Sequence, residues 1–389
     1  MSGIANLSVM YKRNLEAQIS ALIQKYRCLT LIGPRQSGKT TLSRKLFPAY
    51  DYYSFESPDV RALFEYDPRG FLGSIKEGAV LDEIQKVPEL LSYLQEVLDD
   101  KSDARRFILT GSNNLKLSQN VAQTLAGRTR ILQVLPLQRN EIPSRVRAKT
   151  LLESLFYGSY PRIYDENLDP TTWLGDYFQT YVEKDIRDTV NITNLGNFNR
   201  FVRLLAGRVG QIMSYSALGG DTGITQPTVK SWISALETTY ICFTLQPHFN
   251  NFNKRLIKAP KVYFYDTGLL CYLLRIRNLE QLDIHPLKGA IFENWVIVET
   301  IKHFFNQGEE APVYFWRDQH GHEVDMVLDK GDYLDLYEIK LGQTFQKEFV
   351  KNIEWLNRLL NREGGTCIYG GAKKIQLGKV TVSPWDDFL

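Results

Sequence analysis

Eight consecutive residues near the N-terminus have the types and spacing of a phosphate-binding loop. The pattern GxxxxGK[ST] is filled by Gly33, Pro34, Arg35, Gln36, Ser37, Gly38, Lys39 and Thr40. Glycines allow a tight loop whose backbone N–H groups point at phosphate oxygens. Lys39 would then reach the β- and γ-phosphates, Thr40 would offer its hydroxyl to Mg²⁺, and Thr41 follows at the start of a helix. We therefore predict that this loop binds a nucleotide.

A second motif adds two carboxylates. The apolar run AVL is followed directly by Asp82 and Glu83. Asp82 is predicted to hold Mg²⁺, directly or through water, and Glu83 to polarise the attacking water. The run FILTG leads to Ser112, which we predict to sense the γ-phosphate, together with Thr110 or Asn113. An acidic strand end without a role is the alternative, but the two motifs together favour binding and hydrolysis of ATP.

Arg128 is a further candidate for catalysis. It lies in the sequence LAGR, after a predicted helix. An arginine that reaches the γ-phosphate of a neighbouring subunit stabilises the charge that develops in the transition state. The alternative is an ion-paired arginine at the surface. If Arg128 does act on a neighbour, the site is shared between subunits and the protein is an oligomer.

A third set of chemically suggestive residues lies near the C-terminus. Asp325 and the run Glu338-Ile339-Lys340 fall on two predicted strands and fit the D…ExK pattern of the PD-(D/E)xK nucleases, with Glu293 on the preceding helix. Carboxylates at these positions would bind one or two Mg²⁺ ions, which activate water. Lys340, on the same strand face as Glu338, would orient the water or neutralise charge. An ordinary hairpin with a charged face remains the alternative.

The middle of the chain has the pattern of a helix-turn-helix. Ser214 and Thr225 are predicted helix caps, and the glycine-rich stretch 219–223 is the predicted turn. The predicted DNA contacts on the second helix are Thr228 and Lys230, and those in the basic segment that follows are Lys254 and Arg255. A protein-docking element is the alternative. A single lysine on the second helix does not support sequence-specific readout.

The elements that position these residues fall into three predicted domains. Strands alternate with helices over residues 1–150, which indicates an α/β fold with a parallel sheet. Residues 151–285 are predicted to form a helical lid and a winged helix-turn-helix region. Residues 286–389 read as a helix, three strands, a helix and a strand. A chain of 389 residues is long enough for two or three domains.

The composition limits the class of protein. The net charge of +3 excludes a strongly basic tail but allows local basic patches. The four cysteines form no CxxC pair and are predicted to be buried, reduced thiols. The chain has no stretch of 18 apolar residues and no apolar run near its start, so we expect a cytoplasmic protein that does not span a membrane.

Several of these motifs together resemble one family. GPRQSGKTTL, AVLDEIQKVPELL, ILTGSNN and LAGR occur in the order found in a widespread prokaryotic family of AAA+ ATPases with a C-terminal domain of unknown function. The later stretches ITQPTVKSWISALETTYI and GAIFENWVIVE also resemble that family. The resemblance implies a P-loop AAA+ core that uses ATP and Mg²⁺ and forms a ring, with a hexamer favoured. It also implies a winged helix and a PD-(D/E)xK-like C-terminal domain.

Two functions follow from these expectations. The first is an ATPase that acts on duplex or branched DNA, with a possible metal-dependent nuclease domain. The second is an ATP-dependent switch or scaffold whose inactive nuclease-like domain only binds nucleic acid or protein. Regulation of transcription is a weaker third alternative, because nothing in the sequence indicates a domain that senses an effector.

Overall fold

The N-terminal part of the chain is built around a parallel sheet. The computed structural model describes residues 11–112, 121, 123–182, 186, 192, 194–248 and 259–388. The five strands are β1 Cys28–Ile32, β2 Asp51–Ser54, β3 Gly78–Asp82, β4 Arg106–Gly111 and β5 Thr129–Gln133. All pair in parallel, in the order β2-β3-β4-β1-β5. The predicted parallel α/β fold is confirmed, although the short strands β2 and β5 were not predicted.

Helices cover both faces of this sheet. They are α1 Glu16–Lys25, α2 Lys39–Leu46, α3 Pro58–Tyr66, α4 Pro68–Ser74 and α5 Leu90–Asp99. Alternate strand residues point to opposite faces, so Leu29 and Leu31 pack in one apolar cluster with α1 while Cys28 and Ile32 pack in the other. The carboxyl ends of β1, β3 and β4 meet at one edge of the sheet. This edge therefore receives the loop after Ile32, the acidic pair after Leu81 and the polar residues after Leu109.

The middle region is mainly helical and contains a small antiparallel sheet. Its helices are α6 Leu151–Tyr157, α7 Pro161–Asp165, α8 Pro170–Tyr177, α9 Leu195–Ala206, α10 Tyr215–Thr222 and α11 Gln226–Thr238. The sheet pairs β6 Cys242–Leu245 with β7 Lys261–Phe264, and two short helices follow, α12 Thr267–Leu273 and α13 Leu279–Ile284. As predicted, aromatic residues such as Tyr160 and Tyr177 are buried in its core.

The C-terminal region packs one long helix against a mixed sheet. Helix α14 Lys288–Asn306 precedes β8 Val313–Arg317, β9 Glu323–Asp329, β10 Leu334–Lys340, α15 Lys351–Leu360 and β11 Gly365–Tyr369. This is the element order that the sequence predicts. Two further strands, β12 Ile375–Leu377 and β13 Val380–Pro384, were not predicted. The sheet order is β12-β13-β11-β10-β9-β8.

Helix α14 also binds the N-terminal part of the chain. Its residue Glu299 accepts a hydrogen bond from the backbone N–H of Arg139, at 2.8 Å, and its residue Lys302 donates to the carbonyl oxygen of Leu137, at 2.9 Å. Asn306 donates to the side chain of Gln138. All three α14 side chains are buried. One helix therefore contacts the N-terminal part of the chain near its C-terminal end and carries Glu293 nearer its N-terminal end.

Two smaller expectations concern the chain as a whole. All four cysteines are buried and unpaired, as predicted. Burial raises the pKa of the Cys28 and Cys367 thiols to about 12, which makes them poor nucleophiles. Within the residues that the structure describes, no helix has the length and apolar character needed to cross a bilayer.

Candidate ATP site and C-terminal carboxylate centre

The phosphate loop runs from the end of β1 to the start of α2, as predicted. A Cβ atom at Gly33 would lie 2.2 Å from the carbonyl oxygen of Val134, so no side chain fits there. Gly38 has a φ of 93°, a conformation that strains other residues, and Lys39 opens the helix directly after it. The loop therefore leads straight into a helix N-terminus, whose N–H groups favour anions.

Lys39 lies against its own loop. Its ammonium group donates hydrogen bonds to the carbonyl oxygens of Gly33, at 2.9 Å, and Pro34, at 2.7 Å. The side chain is buried and projects into the same cavity as Thr40. Phosphate oxygens are stronger acceptors for an ammonium group than neutral carbonyls are. The geometry thus holds a cation where the phosphates of a nucleotide would lie.

The hydroxyl of Thr40 and the carboxylate of Asp82 are adjacent. Thr40 Oγ1 donates to Asp82 Oδ2 at 3.0 Å, and the Tyr52 hydroxyl donates to the same oxygen at 2.7 Å. The Thr110 hydroxyl bonds to the other oxygen. A hydroxyl and a carboxylate at hydrogen-bond distance are hard oxygen donors of the kind that Mg²⁺ prefers. These residues fit the predicted Mg²⁺, and Tyr52 is a contact that the motifs did not indicate.

Glu83 adopts an unusual backbone conformation beside Asp82. Its φ is 58°, which is uncommon for a residue other than glycine. Ser112 donates to Glu83 Oε2 at 3.1 Å, and Gln85 bonds to both side chains. The predicted γ-phosphate sensor Ser112 therefore lies against the predicted catalytic carboxylate, while Asn113 lies outside the described residues. This network fixes the direction of Glu83.

A cavity of about 490 Å³ brings these groups together. It is lined by the phosphate loop, Asp82, Glu83 and the end of β2, and helix α7 of the middle region closes one side with Arg162 and Asp165. Arg162 also pairs with Glu166 at 2.7 Å. Arg162 was not predicted, because no motif marks it and only the packing of α7 brings it to the cavity.

Arg128 does not line this cavity. Its guanidinium forms a two-point ion pair with Asp99, with distances of 2.6 Å from Nε to Oδ1 and 2.9 Å from NH2 to Oδ2. Both side chains are at the surface, and the pairing with Asp99 raises the pKa of Arg128. Within its own subunit Arg128 is therefore ion-paired, which is the alternative that the sequence left open. Its action on a neighbouring subunit stays a prediction.

The three predicted residues of the C-terminal hairpin are in contact. Lys340 Nζ lies 2.8 Å from Asp325 Oδ2 and also contacts the Glu338 carboxylate. The backbone N–H of Ile339 donates to Asp325 Oδ2 at 2.8 Å. Burial alone would raise the pKa of Asp325, but Lys340 and Lys261 outweigh it and lower that pKa. Burial and the nearby Asp325 raise the pKa of Glu338 well above its usual range.

Glu293 meets a cation from another part of the chain. Lys261, the first residue of β7, places its ammonium 3.1 Å from Glu293 Oε1 and 2.5 Å from Glu323 Oε1. The Tyr263 hydroxyl also bonds to Glu293 Oε1. Burial raises the pKa of Glu293, with Lys261 opposing it. Lys261 was predicted to belong to the basic wing segment that follows the helix-turn-helix, and its contact with these carboxylates was not predicted, because strand β7 precedes them by many residues. Glu323 was not predicted either.

The C-terminal carboxylates are thus arranged around ammonium groups. Among the described residues, no group of three or more His, Cys, Asp or Glu side chains has an arrangement that could hold a metal ion. In this conformation the side chains Glu293, Asp325 and Glu338 do not fit the predicted Mg²⁺, because Lys261 and Lys340 take up their charge. Mg²⁺ at this centre stays a prediction.

The predicted helix-turn-helix is partly confirmed. Ser214 caps α10 and Thr225 caps α11 through hydrogen bonds to backbone N–H groups. Gly219 and Gly220 lie inside α10, not in the turn, which Gly223 forms in the left-handed conformation. A Cβ atom at Gly219 would lie 2.8 Å from Ile224 O, so close packing of the turn on the helix explains that glycine.

Two of the four residues predicted to contact DNA lie within the part of the chain that the structure describes. Lys230 is exposed on α11, 5.4 Å from the centre of the Tyr215 ring, and Thr228 is half-buried and bonded to Thr225. Lys254 and Arg255 lie outside the described residues.

Three domain families match the chain in succession. Residues 25–143 match a family described as AAA domain. Residues 148–280 match the domain of unknown function DUF8612, and residues 288–388 match the domain of unknown function DUF4143. The N-terminal part of the chain is therefore an AAA-type ATPase domain, which supports ATP binding and hydrolysis. The C-terminal match agrees with the predicted family resemblance, but the matched family is one of unknown function and indicates no activity.

Two similar proteins are described only as uncharacterized. An uncharacterized protein of Mycobacterium tuberculosis is 28% identical over 336 residues, which are 86% of this chain and 74% of that protein. An uncharacterized protein of Methanocaldococcus jannaschii is 23% identical over 300 residues, 70% of this chain and 63% of that protein. The solved Walker-type ATPase of Pyrococcus abyssi aligns with 68% of this chain and 96% of its own, with 13% identity and a TM-score of 0.45.

Proposed function

We propose that the protein is an ATP-hydrolysing machine that acts on DNA, duplex or branched, and that its C-terminal domain contacts DNA without cutting it in the conformation described. The observation that carries the ATPase part is the hydrogen bond of 3.0 Å between Thr40 and Asp82, within a cavity that also holds Lys39 and Glu83. In this proposal the N-terminal region binds and hydrolyses ATP, and the middle and C-terminal regions contact DNA.

Each residue of the ATP site has a proposed task. Backbone N–H groups of the phosphate loop and Lys39 bind the phosphates. Thr40 and Asp82 hold Mg²⁺, which when bound neutralises charge on the β- and γ-phosphates. Glu83, held by Ser112 and Gln85, orients the attacking water. Arg162 lies on the helix that closes the cavity. Its proposed task is to respond to the loss of the γ-phosphate and to transmit that change to the middle region.

DNA contact is proposed for the middle region. Helix α11 presents Gln226, Lys230 and Ser231 at the surface, and these side chains suit contacts to phosphates. The helices α9, α10 and α11 followed by the strands β6 and β7 are an order typical of a winged helix. Binding of this kind would be salt-dependent and would not depend strongly on sequence.

Cleavage by the C-terminal domain is the second candidate function. The D…ExK residues are all present and in contact, which favours a nuclease ancestry or activity. The ammonium of Lys261 among the carboxylates favours a centre that does not cut unless it is rearranged. We therefore propose DNA binding as the function of this domain in preference to DNA cleavage.

A ring of subunits, with six favoured, is part of the proposal. A shared site would need Arg128 to leave Asp99 and reach the nucleotide of a neighbour. Asp99 is at the surface, so exchange of this ion pair for a phosphate contact costs little. Light scattering with and without a non-hydrolysable ATP analogue tests whether assembly depends on the nucleotide.

One experiment separates these functions. Linear, forked and four-way labelled DNA is incubated with the pure protein and Mg²⁺ or Mn²⁺, with and without ATP, and Lys340→Ala is the control. Salt-sensitive binding without cutting, together with ATP turnover that responds to DNA, supports the proposal. Cutting that disappears in Lys340→Ala supports the second candidate. ATP turnover without any DNA binding or response would reject action on DNA.

A further inference from the structure

A lysine from the middle region lies inside the C-terminal carboxylate centre. Lys261 is 1% exposed, and its ammonium contacts Glu293 and Glu323, which belong to α14 and β9. We infer that Lys261 closes this centre to divalent cations, and that the centre can take up a cation only after β7 moves away from α14 and β9. Lys261, which belongs to the middle region, would thus inhibit cation binding by the C-terminal domain.

Cationic side chains of the protein offset most of the negative charge around the centre. Lys261 joins Glu293 to Glu323, and Arg317 NH1 binds the other oxygen of Glu323 at 2.8 Å. Lys340 joins Asp325 to Glu338. Four carboxylates therefore face three cationic groups. A divalent ion that entered this arrangement would bring two positive charges next to ammonium groups, so Lys261 must leave first.

A buried carboxylate indicates that the centre is able to hold a further ligand. Glu338 is 0% exposed, and although the Lys340 ammonium touches it, neither of its oxygens accepts a hydrogen bond of normal geometry from the described residues. Buried acceptors without such a bond are rare in folded proteins and are costly. A cation that reached the centre would satisfy these oxygens.

The lysine is held by contacts that belong to the middle region. β7 pairs with β6, and the backbone of Lys261 also bridges to Ile212. On the side of the C-terminal region, Lys261 Nζ lies 5.3 Å from the centre of the ring of Phe315, which belongs to β8. The middle region also reaches the phosphate loop, where the Tyr177 hydroxyl lies 3.4 Å from the carbonyl oxygen of Arg35. Movement of the middle region during ATP use, which rests on the proposed function, is the means by which β7 would withdraw.

Binding of Mn²⁺ to the full chain without nucleotide tests the inference, and it needs neither ATP nor DNA. Every protein carries Asp82→Asn, which removes the metal ligand of the ATP site. Free Mn²⁺ is followed by electron paramagnetic resonance in this background, in Lys261→Met, in Lys261→Arg, in Asp325→Asn and in Lys261→Met combined with Asp325→Asn. Lys261→Gln, which keeps a hydrogen-bond donor, serves if Lys261→Met does not fold.

The expected result is uptake of Mn²⁺ only where the charge of residue 261 has been removed. Lys261→Met or Lys261→Gln should bind Mn²⁺ about tenfold or more tightly than the background, because a like charge has left the site. The gain should be lost when Asp325→Asn is added, and Lys261→Arg should show no gain. Equal Mn²⁺ binding in the background, abolished by Asp325→Asn, would overturn the inference, as would folded Lys261→Met or Lys261→Gln without uptake. Neither result would bear on ATP hydrolysis or DNA binding.

Discussion

Arg13 binds the phosphate loop from outside its motif: its NH1 group donates a hydrogen bond to the carbonyl oxygen of Ser37 at 2.8 Å. The same guanidinium donates to the carbonyl oxygen of Leu135, at 2.7 Å, and to Glu141 Oε1, at 3.1 Å. It is buried. Glu141 in turn accepts from the N–H of Gln138, whose side chain bonds to Asn306 at the end of α14. Arg13 therefore positions the loop and connects it to the helix that carries Glu293.

Substitution of Arg13 tests its role as a positioning residue. Arg13→Ala leaves the buried carboxylate of Glu141 without its cation, and we expect a loss of about 3–5 kcal/mol in the free energy of unfolding. Urea denaturation measures it. The double variant Arg13→Ala/Glu141→Gln should recover part of the loss, because it removes the unpaired charge. A single variant within about 0.5 kcal/mol of the wild type, the range of ordinary surface changes, would contradict this role.

Arg128 and Asp99 form a matched pair for testing a shared site. Arg128→Ala should retain ATP binding but lose hydrolysis, because an arginine supplied in trans is worth about 10³–10⁵ in kcat. Asp99→Asn should retain hydrolysis, because it only frees the arginine. Steady-state phosphate release and nucleotide titration distinguish the two effects. If both variants hydrolyse ATP at the wild-type rate, the ion pair is structural and the argument for a shared site fails.

Lys230 tests DNA contact by helix α11. Lys230→Ala should weaken binding similarly for unrelated sequences and reduce the salt slope of the binding constant by about one, as expected for one lost phosphate contact. Fluorescence anisotropy at several salt concentrations gives the slope. Lys379→Ala, at another exposed lysine, is the matched control. Equal slopes for Lys230→Ala and the wild type would remove α11 from the DNA-binding surface.

The sequence predicted those parts of the ATP site that are local. The loop 33–40 and the pair Asp82-Glu83 each follow a buried strand, and parallel strands bring their carboxyl ends to one edge. Strand β2, DYYS, was missed because it is short and partly exposed at the edge of the sheet. Tyr52 was missed with it.

Contacts between distant parts of the chain could not be predicted. Arg13 lies outside any motif and Lys261 lies in the basic segment that was predicted to form a wing, and each reaches carboxylates on other elements only because helices and strands pack together. The D…ExK pattern correctly predicted that Asp325, Glu338 and Lys340 meet. It contained no information about the fourth carboxylate, Glu323, or about a second lysine that competes with a metal.

The central claim is that ATP is bound and hydrolysed at the phosphate loop, and ATP turnover by three proteins tests it most directly. The wild type should release phosphate, Lys39→Ala should lose nucleotide binding or turnover, and Glu83→Gln should keep ATP bound without hydrolysing it. Turnover is measured by phosphate release, and bound nucleotide by chromatography of the isolated protein. Turnover that is the same in all three proteins would contradict the claim.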